Sequence, residues 1–196
     1  MNEILRTPRL ILRELTWVDL EDLKVIHQDE ETMTAYAHAF SDEEVRAWLL
    51  RNLERYAQDG IGLWAVILRE TGEFVGEVGL TWQKVEEETL LEVGYLLKRS
   101  CWHQGYATEA AKGCMAYAFR VLGADRVVSI IRDTNTASRQ VARRNGMAET
   151  KTFVKHYWGQ EMPHVVYELT RAEAEERFGR DFFLPDLDST PGEGLE

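Results

Sequence analysis

The stretch from Leu90 to Ile131 constrains the fold more than any other part of the chain. The sequence predicts a strand over 90–97, a loop, a helix from about Tyr106 to Leu122 and a β-rich run over 127–131. When a helix connects two neighbouring strands in this way, it crosses over the sheet and the strands run parallel. The chain must therefore fold around a sheet that contains a parallel pair.

The strands before this unit are joined by short turns. Apolar runs over 63–68, 74–82 and 90–97 are separated by polar turns at 70–73 and 86–88, which predicts an antiparallel meander. Further strands are predicted over 10–15, 148–157 and 165–169. The expected fold class is α/β of the α+β type: a mixed, mostly antiparallel central sheet of about seven strands, flanked by helices.

Three other helices are indicated by capping residues and helical spacing. They run from Thr16 to about Gln28, from Ser41 to Gln58 with a Ser41–Glu44 capping box, and from Asn135 to Asn145. We expect the first two to flank a substrate entrance. Residues 1–178 are expected to form a single domain, followed by an acidic, flexible C-terminal tail over 179–196 that contains Pro185 and Pro191.

Composition and charge exclude several classes of protein. No apolar run approaches the roughly 18 residues of a membrane span. The net charge of −11 argues against strong, nonspecific binding of nucleic acid. The two cysteines, Cys101 and Cys114, have no metal-ligand spacing, so no metal site is expected. The N-terminal ten residues have no apolar signal stretch, and we expect a cytoplasmic protein.

The loop between the first parallel strand and its helix has the features of a phosphate site. It has the sequence Trp102-His103-Gln104-Gly105-Tyr106-Ala107-Thr108. A helix N-terminus offers unpaired N–H groups to phosphate, and Gly105 lets a ligand approach the backbone closely. The loop matches neither the P-loop pattern nor the three-glycine dinucleotide fingerprint.

This arrangement resembles the GCN5-related N-acetyltransferases, whose acetyl-CoA loop has the pattern Gln/Arg-x-x-Gly-x-Gly/Ala. The segment 91–97, followed by 102–107 and a helix, is similar to the cofactor motif of that family. Asn135-Thr136-Ala137-Ser138 with Asn145-Gly146-Met147 is similar to its next motif. The RimJ/RimL-like branch, which acetylates the N-termini of ribosomal proteins, is the most similar one. Trp102, His103 and Met147 depart from the family pattern.

The resemblance implies that acetyl-CoA is the acyl donor and lies between splayed parallel strands. Tyr95, Leu96 and Leu97 would pair their backbone with the pantetheine arm. The pyrophosphate would bind to the loop formed by Trp102, His103, Gln104, Gly105, Tyr106, Ala107 and Thr108. Asn135 would bond to the pantetheine, cap its helix, or do both.

The resemblance also implies two catalytic residues. Ser138 would donate a proton to the departing CoA thiolate, and the alternative is that it only occupies the first turn of a helix. Glu92 would act as the base, through a water molecule, if its face of the strand is the pocket side; otherwise it is a solvated carboxylate. Glu77, on the preceding strand, is a reserve candidate for the base.

The expected function is N-acetyl transfer to a primary amine, such as a protein N-terminal Ala or Ser. A small-molecule amine is an alternative acceptor. A non-catalytic role in binding acyl-CoA is an alternative function. The aromatic residues Trp82, His156, Tyr157 and Trp158 line the acceptor pocket in one interpretation and serve only packing in the other. A homodimer that forms through the last strands is compatible with the sequence.

Overall fold

The structure, a computed structural model, describes residues 2–36, 38–157 and 159–179. Its centre is an eight-stranded sheet in the order β1-β2-β3-β4-β5-β6-β8-β7. The strands are β1 Glu3–Arg6, β2 Leu10–Glu14, β3 Leu63–Leu68, β4 Phe74–Val85, β5 Glu88–Leu97, β6 Arg126–Arg132, β7 Ala148–Tyr157 and β8 Gln160–Thr170. Neighbouring strands are antiparallel except β5 and β6, which are parallel. The predicted meander and parallel pair are therefore confirmed.

The first strand, β1, was not predicted from the sequence. It is only four residues long, and two of them, Glu3 and Arg6, are charged, so its own signal is weak. Pairing with β2 and burial of Leu5 hold it in the sheet. The turn is closed by the Thr7 N–H, which donates to the Leu10 carbonyl at 2.9 Å.

Within the described ranges, five α-helices cover the two faces of the sheet. They are α1 Leu20–His27, α2 Asp42–Asp59, α3 Tyr106–Arg120, α4 Thr136–Arg144 and α5 Arg171–Phe178. Helices α1 and α2 pack with Ala65, Phe74 and Leu96 on one face. Helix α3 packs with Leu91 and Val93 on the other, where Ala142 of α4 and Ala174 of α5 are also buried. None of these helices is long and apolar enough to cross a membrane.

Helix α5 extends the folded region beyond the last predicted strand. Thr170 caps it, because the Thr170 Oγ1 accepts from the Glu173 N–H at 3.3 Å while the Thr170 N–H donates to the Glu173 carboxylate at 2.8 Å. Ala174 is buried against the core. Of the predicted tail, residues 180–196 lie outside the described residues.

Candidate functional site

The site is built around a gap between β5 and β6. These two strands meet at one registered pair, Glu92 with Val128. The pairing of β5 with β4 continues without interruption to Leu97, opposite Gly76. The sheet is thus split open on one side of β5 only, as expected for a splayed parallel pair.

Glu92 stands at the point where the split begins. Its Oε1 accepts a hydrogen bond from the Ile130 N–H of β6 at 3.1 Å. In a continued parallel ladder that N–H would donate to a β5 carbonyl. The carboxylate therefore takes the place of a backbone acceptor, and ladder pairing ends there.

The surroundings of Glu92 change its acidity. The side chain is half-buried, and burial raises the pKa of its carboxyl above the ordinary value. The positive charge of Lys155, the Ile130 N–H and the charge of Arg55 act in the opposite direction but do not cancel the effect. A carboxylate with a raised pKa, placed at a cleft, is suited to accept a proton.

The backbone of β5 offers hydrogen-bonding groups to the gap. The Lys98 N–H donates to the Val75 carbonyl of β4 at 2.9 Å, so by strand alternation the groups of Leu96 also point to β4. Those of Tyr95 and Leu97 then face the gap. The backbone of Leu96 is thus used within the sheet.

The loop before α3 has the backbone of a phosphate cradle. His103 and Gly105 have positive φ angles of 60° and 82°, and Gly105 immediately precedes the helix. The first helical bond is donated by the Glu109 N–H to the Gly105 carbonyl at 3.0 Å. The N–H groups of Tyr106, Ala107 and Thr108 in the first turn therefore have no partner within the helix and remain available to an anion.

Other residues of the loop fix its shape. The Trp102 indole donates to the Leu97 carbonyl at 3.0 Å, which ties the loop to the end of β5. Gln104 is exposed, and its side-chain amide donates to the Ser100 carbonyl at 3.2 Å. Both residues support the loop through hydrogen bonds to nearby carbonyls.

Arg9 lies in the turn between β1 and β2 and holds the same loop in place, and it was not identified from the sequence. Its Nη1 donates to the Gln104 carbonyl at 3.0 Å, its Nε donates to Glu109 at 2.6 Å, and its guanidinium lies 4.7 Å from the centroid of the Tyr106 ring. Thr7 also donates to Glu109, at 2.6 Å. Burial acts to raise the pKa of Glu109, but the bonds from Thr7 and Arg9 hold it below its usual value. These partners are about a hundred residues apart, so no local pattern could reveal them.

Asn135 and Ser138 lie at the start of α4. The Asn135 Oδ1 accepts from the Ser138 N–H at 3.0 Å, so Asn135 is the N-cap of the helix. The Tyr95 hydroxyl donates to the Ser138 carbonyl at 2.9 Å, and burial raises the pKa of Tyr95. Through Tyr95, β5 is tied directly to the first turn of α4.

The reserve candidate Glu77 is enclosed in the fold. It lies on the same face as Glu92 but is completely buried beneath α1 and α2. Its Oε1 is 3.0 Å from the His27 Nε2 and accepts from the Trp48 indole at 2.8 Å. This geometry is that of an internal polar network.

Of the aromatic residues considered for the acceptor pocket, Trp82 and His156 do not face Glu92. Trp82 is adjacent to Thr81, the cross-strand partner of Glu92, and therefore points to the opposite face. His156 is exposed near the tip of the β7–β8 hairpin. Trp158 lies outside the described residues. Within the described ranges, no group of three His, Cys, Asp or Glu side chains could hold a metal ion.

Comparison with known proteins agrees with this geometry. Residues 9–148 match the acetyltransferase (GNAT) domain model. The chain is 34% identical over 144 residues to YkkB of Bacillus subtilis, covering 74% of this chain and 81% of that protein. It is 31% identical over 184 residues to an FsC-acetyl coenzyme A-N(2)-transacetylase of Aspergillus fumigatus, covering 86% and 77%.

A solved structure has the same fold. It is RimL, a ribosomal L7/L12 alpha-N-protein acetyltransferase in complex with coenzyme A, with a TM-score of 0.72 and 18% identity over 88% of this chain and 99% of that one. The gap-facing backbone of β5 and the N-terminus of α3 fit a ligand with a pantetheine arm and a pyrophosphate. The chain belongs to the GNAT family of acetyltransferases and is an N-acetyltransferase that uses acetyl-CoA as its acyl donor.

Proposed function

We propose that the chain acetylates a primary α-amine, with a protein N-terminus that begins with Ala or Ser as the first candidate acceptor and Glu92 as the base. The observation that carries the proposal is the position of Glu92, a carboxylate with a raised pKa at the point where β5 and β6 separate. The resemblance to the RimJ/RimL-like branch and the shared fold with RimL support the choice of acceptor.

Acetyl-CoA supplies the acetyl thioester. In the proposal, the backbone groups of Tyr95 and the N–H of Leu97 hold the pantetheine arm, and the N–H groups at the start of α3 hold the pyrophosphate. Glu92 takes a proton from the acceptor ammonium through a water molecule, so that a neutral amine attacks. When the C–S bond breaks, the Ser138 hydroxyl gives a proton to the CoA sulfur and regains one from the acylated nitrogen, which becomes the neutral amide. Asn135 caps α4 and keeps Ser138 in place.

A small-molecule amine is the second candidate acceptor. The specific observation in its favour is the 31% identity to the FsC-acetyl coenzyme A-N(2)-transacetylase, whose name describes transfer to a nitrogen of FsC. Acceptor panels should therefore contain both peptides and small amines.

The test is acceptor-dependent release of free thiol from acetyl-CoA. Peptides that begin with Ala or Ser should release CoA thiol above the no-acceptor control. Glu92→Gln should lower kcat by about 10²- to 10⁴-fold, the usual contribution of a general base, and leave acetyl-CoA affinity unchanged. The matched control is Glu87→Gln, in the exposed β4–β5 turn.

Ser138 is tested in the same assay. Ser138→Ala should lower kcat, whereas Thr136→Ala, which removes an exposed hydroxyl two residues earlier, should not.

Equal rates for Glu92→Gln and Glu87→Gln would contradict the role of Glu92. Binding of acetyl-CoA without thiol release across the panel would favour a non-catalytic acyl-CoA-binding module.

A further inference from the structure

Arg55 of α2 is a half-buried cation with no partner. Within residues 2–36, 38–157 and 159–179, no hydrogen bond or ion pair engages its guanidinium. Burial and the positive charge of Arg51 lower the pKa of this guanidinium. The negative charges of Asp59, Glu92 and Glu77 act in the opposite direction. A half-buried guanidinium is only partly hydrated, so a charge-assisted hydrogen bond to an anionic ligand would stabilise it.

The packing of α2 places Arg55 beside the catalytic candidate. One end of the helix is fixed where Trp48 donates to Glu77 of β4 at 2.8 Å. One turn later the Asn52 Oδ1 accepts from the Leu63 N–H at 3.1 Å, and Leu63 pairs with Gly79 of β4. The helix thus follows β4, and the next turn brings Arg55 level with Thr81, the cross-strand partner of Glu92.

The surface of the sheet next to Glu92 is open at Gly94. Gly94 lies on the same face as Glu92, two residues further along β5. A Cβ atom added to Gly94 would meet only the Leu63 Cδ2 within 4 Å, at 3.7 Å. The absence of a side chain there leaves space above the sheet, between Glu92 and α2.

A second cation faces the same space from the other side. Lys155 of β7 is half-buried. The strand pairing from β6 through β8 to β7 places Lys155 on the face of the sheet that also carries Glu92, Ile130 and His164. No carboxylate pairs with Lys155 within the part of the chain that the structure describes. In a chain with a net charge of −11, two cations that have no carboxylate partner among the described residues and whose charges act with that of Glu92 are a local reversal of sign.

We propose that the acceptor of the proposed acetyl transfer carries a carboxylate as well as its amine, and that Arg55 binds this carboxylate while the amine faces Glu92. The inference rests on the proposed function and names its substrate class. The guanidinium fork matches a carboxylate in two parallel hydrogen bonds, and Lys155 adds a second positive charge. The carboxylate is either the α-carboxylate of an amino acid or an acidic side chain near the N-terminus of a peptide.

The test compares acceptors that differ only in this group. Free amino acids are paired with their amides, and peptides that begin Ala-Glu or Ser-Asp are paired with Ala-Gln or Ser-Asn. The acid should exceed the amide in kcat/KM by about 10- to 100-fold in at least one set, the range of a charge-assisted hydrogen bond. The responding set shows whether the source is an amino acid or a peptide.

Variants of Arg55 assign the preference to this residue. Arg55→Met should raise KM for the acid acceptor and abolish the preference, with little change for the amide, and Arg55→Lys should restore part of it. The matched control is Arg51→Met, an exposed arginine one turn earlier on α2, which should keep the preference.

Three results would overturn the inference. They are an amide preference in the native protein, an acid preference that survives Arg55→Met, and an equal loss of kcat for acid and amide in Arg55→Met, which would mean that Arg55 only tunes Glu92. Thiol release with every acceptor but without any acid preference is a fourth such result, and it contradicts this inference alone. If no amine causes release of CoA thiol, the result contradicts the proposed function instead.

Discussion

Glu92 combines a role in the proposed chemistry with a cost in stability. Its folded pKa is raised above the unfolded value, so ionisation disfavours the folded state. The resulting loss of unfolding free energy is absent below the pKa of Glu92 in the unfolded state, near 4.5. It grows as pH rises through the pKa of Glu92 in the folded state. Each unit of difference between the two pKa values corresponds to about 1.4 kcal/mol.

We therefore expect Glu92→Gln to be stabilising at pH 8 and much less so at pH 4. The amide oxygen can still accept from the Ile130 N–H, so the comparison isolates the charge. Urea unfolding of both proteins at the two pH values measures the difference. The exposed control Glu87→Gln should stay within about 0.5 kcal/mol of the native protein. A Glu92→Gln variant that loses stability relative to the native protein as pH rises would refute this argument.

Glu77 gives a second prediction at this scale. Its carboxylate is bonded to both His27 and Trp48 in the interior, and truncation would leave both of these groups without an acceptor. Glu77→Ala should lower the free energy of unfolding by about 3 to 5 kcal/mol, measured by urea denaturation. Glu73→Ala, on the exposed turn before β4, should have almost no effect. A small loss in Glu77→Ala would show that the network is not needed for the fold.

Residues differ in how far sequence could predict them. Asn135 sits in a local capping pattern, and the strand position of Glu92 follows from alternation, so both were accessible. Arg9 and Arg55 were not, because their positions depend on packing between segments far apart in the chain. Patterns within a few residues cannot report which charged side chains meet after folding.

Elements with strong periodicity or caps were predicted well. The bounds of β3 and β7 agree with the sequence prediction, and α2 starts after Ser41 as its capping box indicated. Strand β8 begins five residues earlier than predicted, because its polar first half is held by pairing with β7. Strand β1 was missed because pairing with β2, and not its own pattern, holds it in the sheet. Helix α5 has a capping box at its start, but it is only eight residues long and mostly charged, so its helical pattern is weak.

Helix α3 allows a matched test of the phosphate loop. Gly105 before the helix and Gly123 after it have φ angles of 82° and 70°, a region that costs other residues about 1–2 kcal/mol. Ala at either position should therefore lower stability by a similar amount. Gly105→Ala alone should also raise KM for acetyl-CoA, since the added Cβ lies in the loop, 3.4 Å from an Arg9 nitrogen.

Thermal unfolding and acetyl-CoA saturation curves of the two variants provide the comparison. Gly123 has nothing within 4 Å of an added Cβ, so it reports backbone strain without any effect on the loop. If both variants raised KM equally, the effect would come from general destabilisation and not from the loop.

The whole sheet consists of two halves that meet at Glu92 and Val128. On one side neighbouring strands from β1 to β5 pair antiparallel, and on the other β6, β8 and β7 do the same. Between the halves, the backbone groups of Tyr95 and the N–H of Leu97 have no strand partner across the gap. A ligand that forms hydrogen bonds with these groups joins the two halves. Because the gap exists only in the folded state, the ligand binds only that state.

Acetyl-CoA should therefore stabilise the entire molecule. A ligand that binds only the folded state contributes about 2.7 kcal/mol at a hundred times its Kd, which for a domain of this size raises Tm by about 5 to 10 °C. Hydrogen exchange should show new protection at the amides of Tyr95 and Leu97, while the amide of Leu96, which points to β4, changes little. ATP at the same concentration is the control, because it has phosphates for the loop but no pantetheine arm for the gap. Equal stabilisation and equal protection by ATP would mean that the gap is not the binding site, whereas protection of Tyr95 and Leu97 by acetyl-CoA alone would locate the arm between β5 and β6.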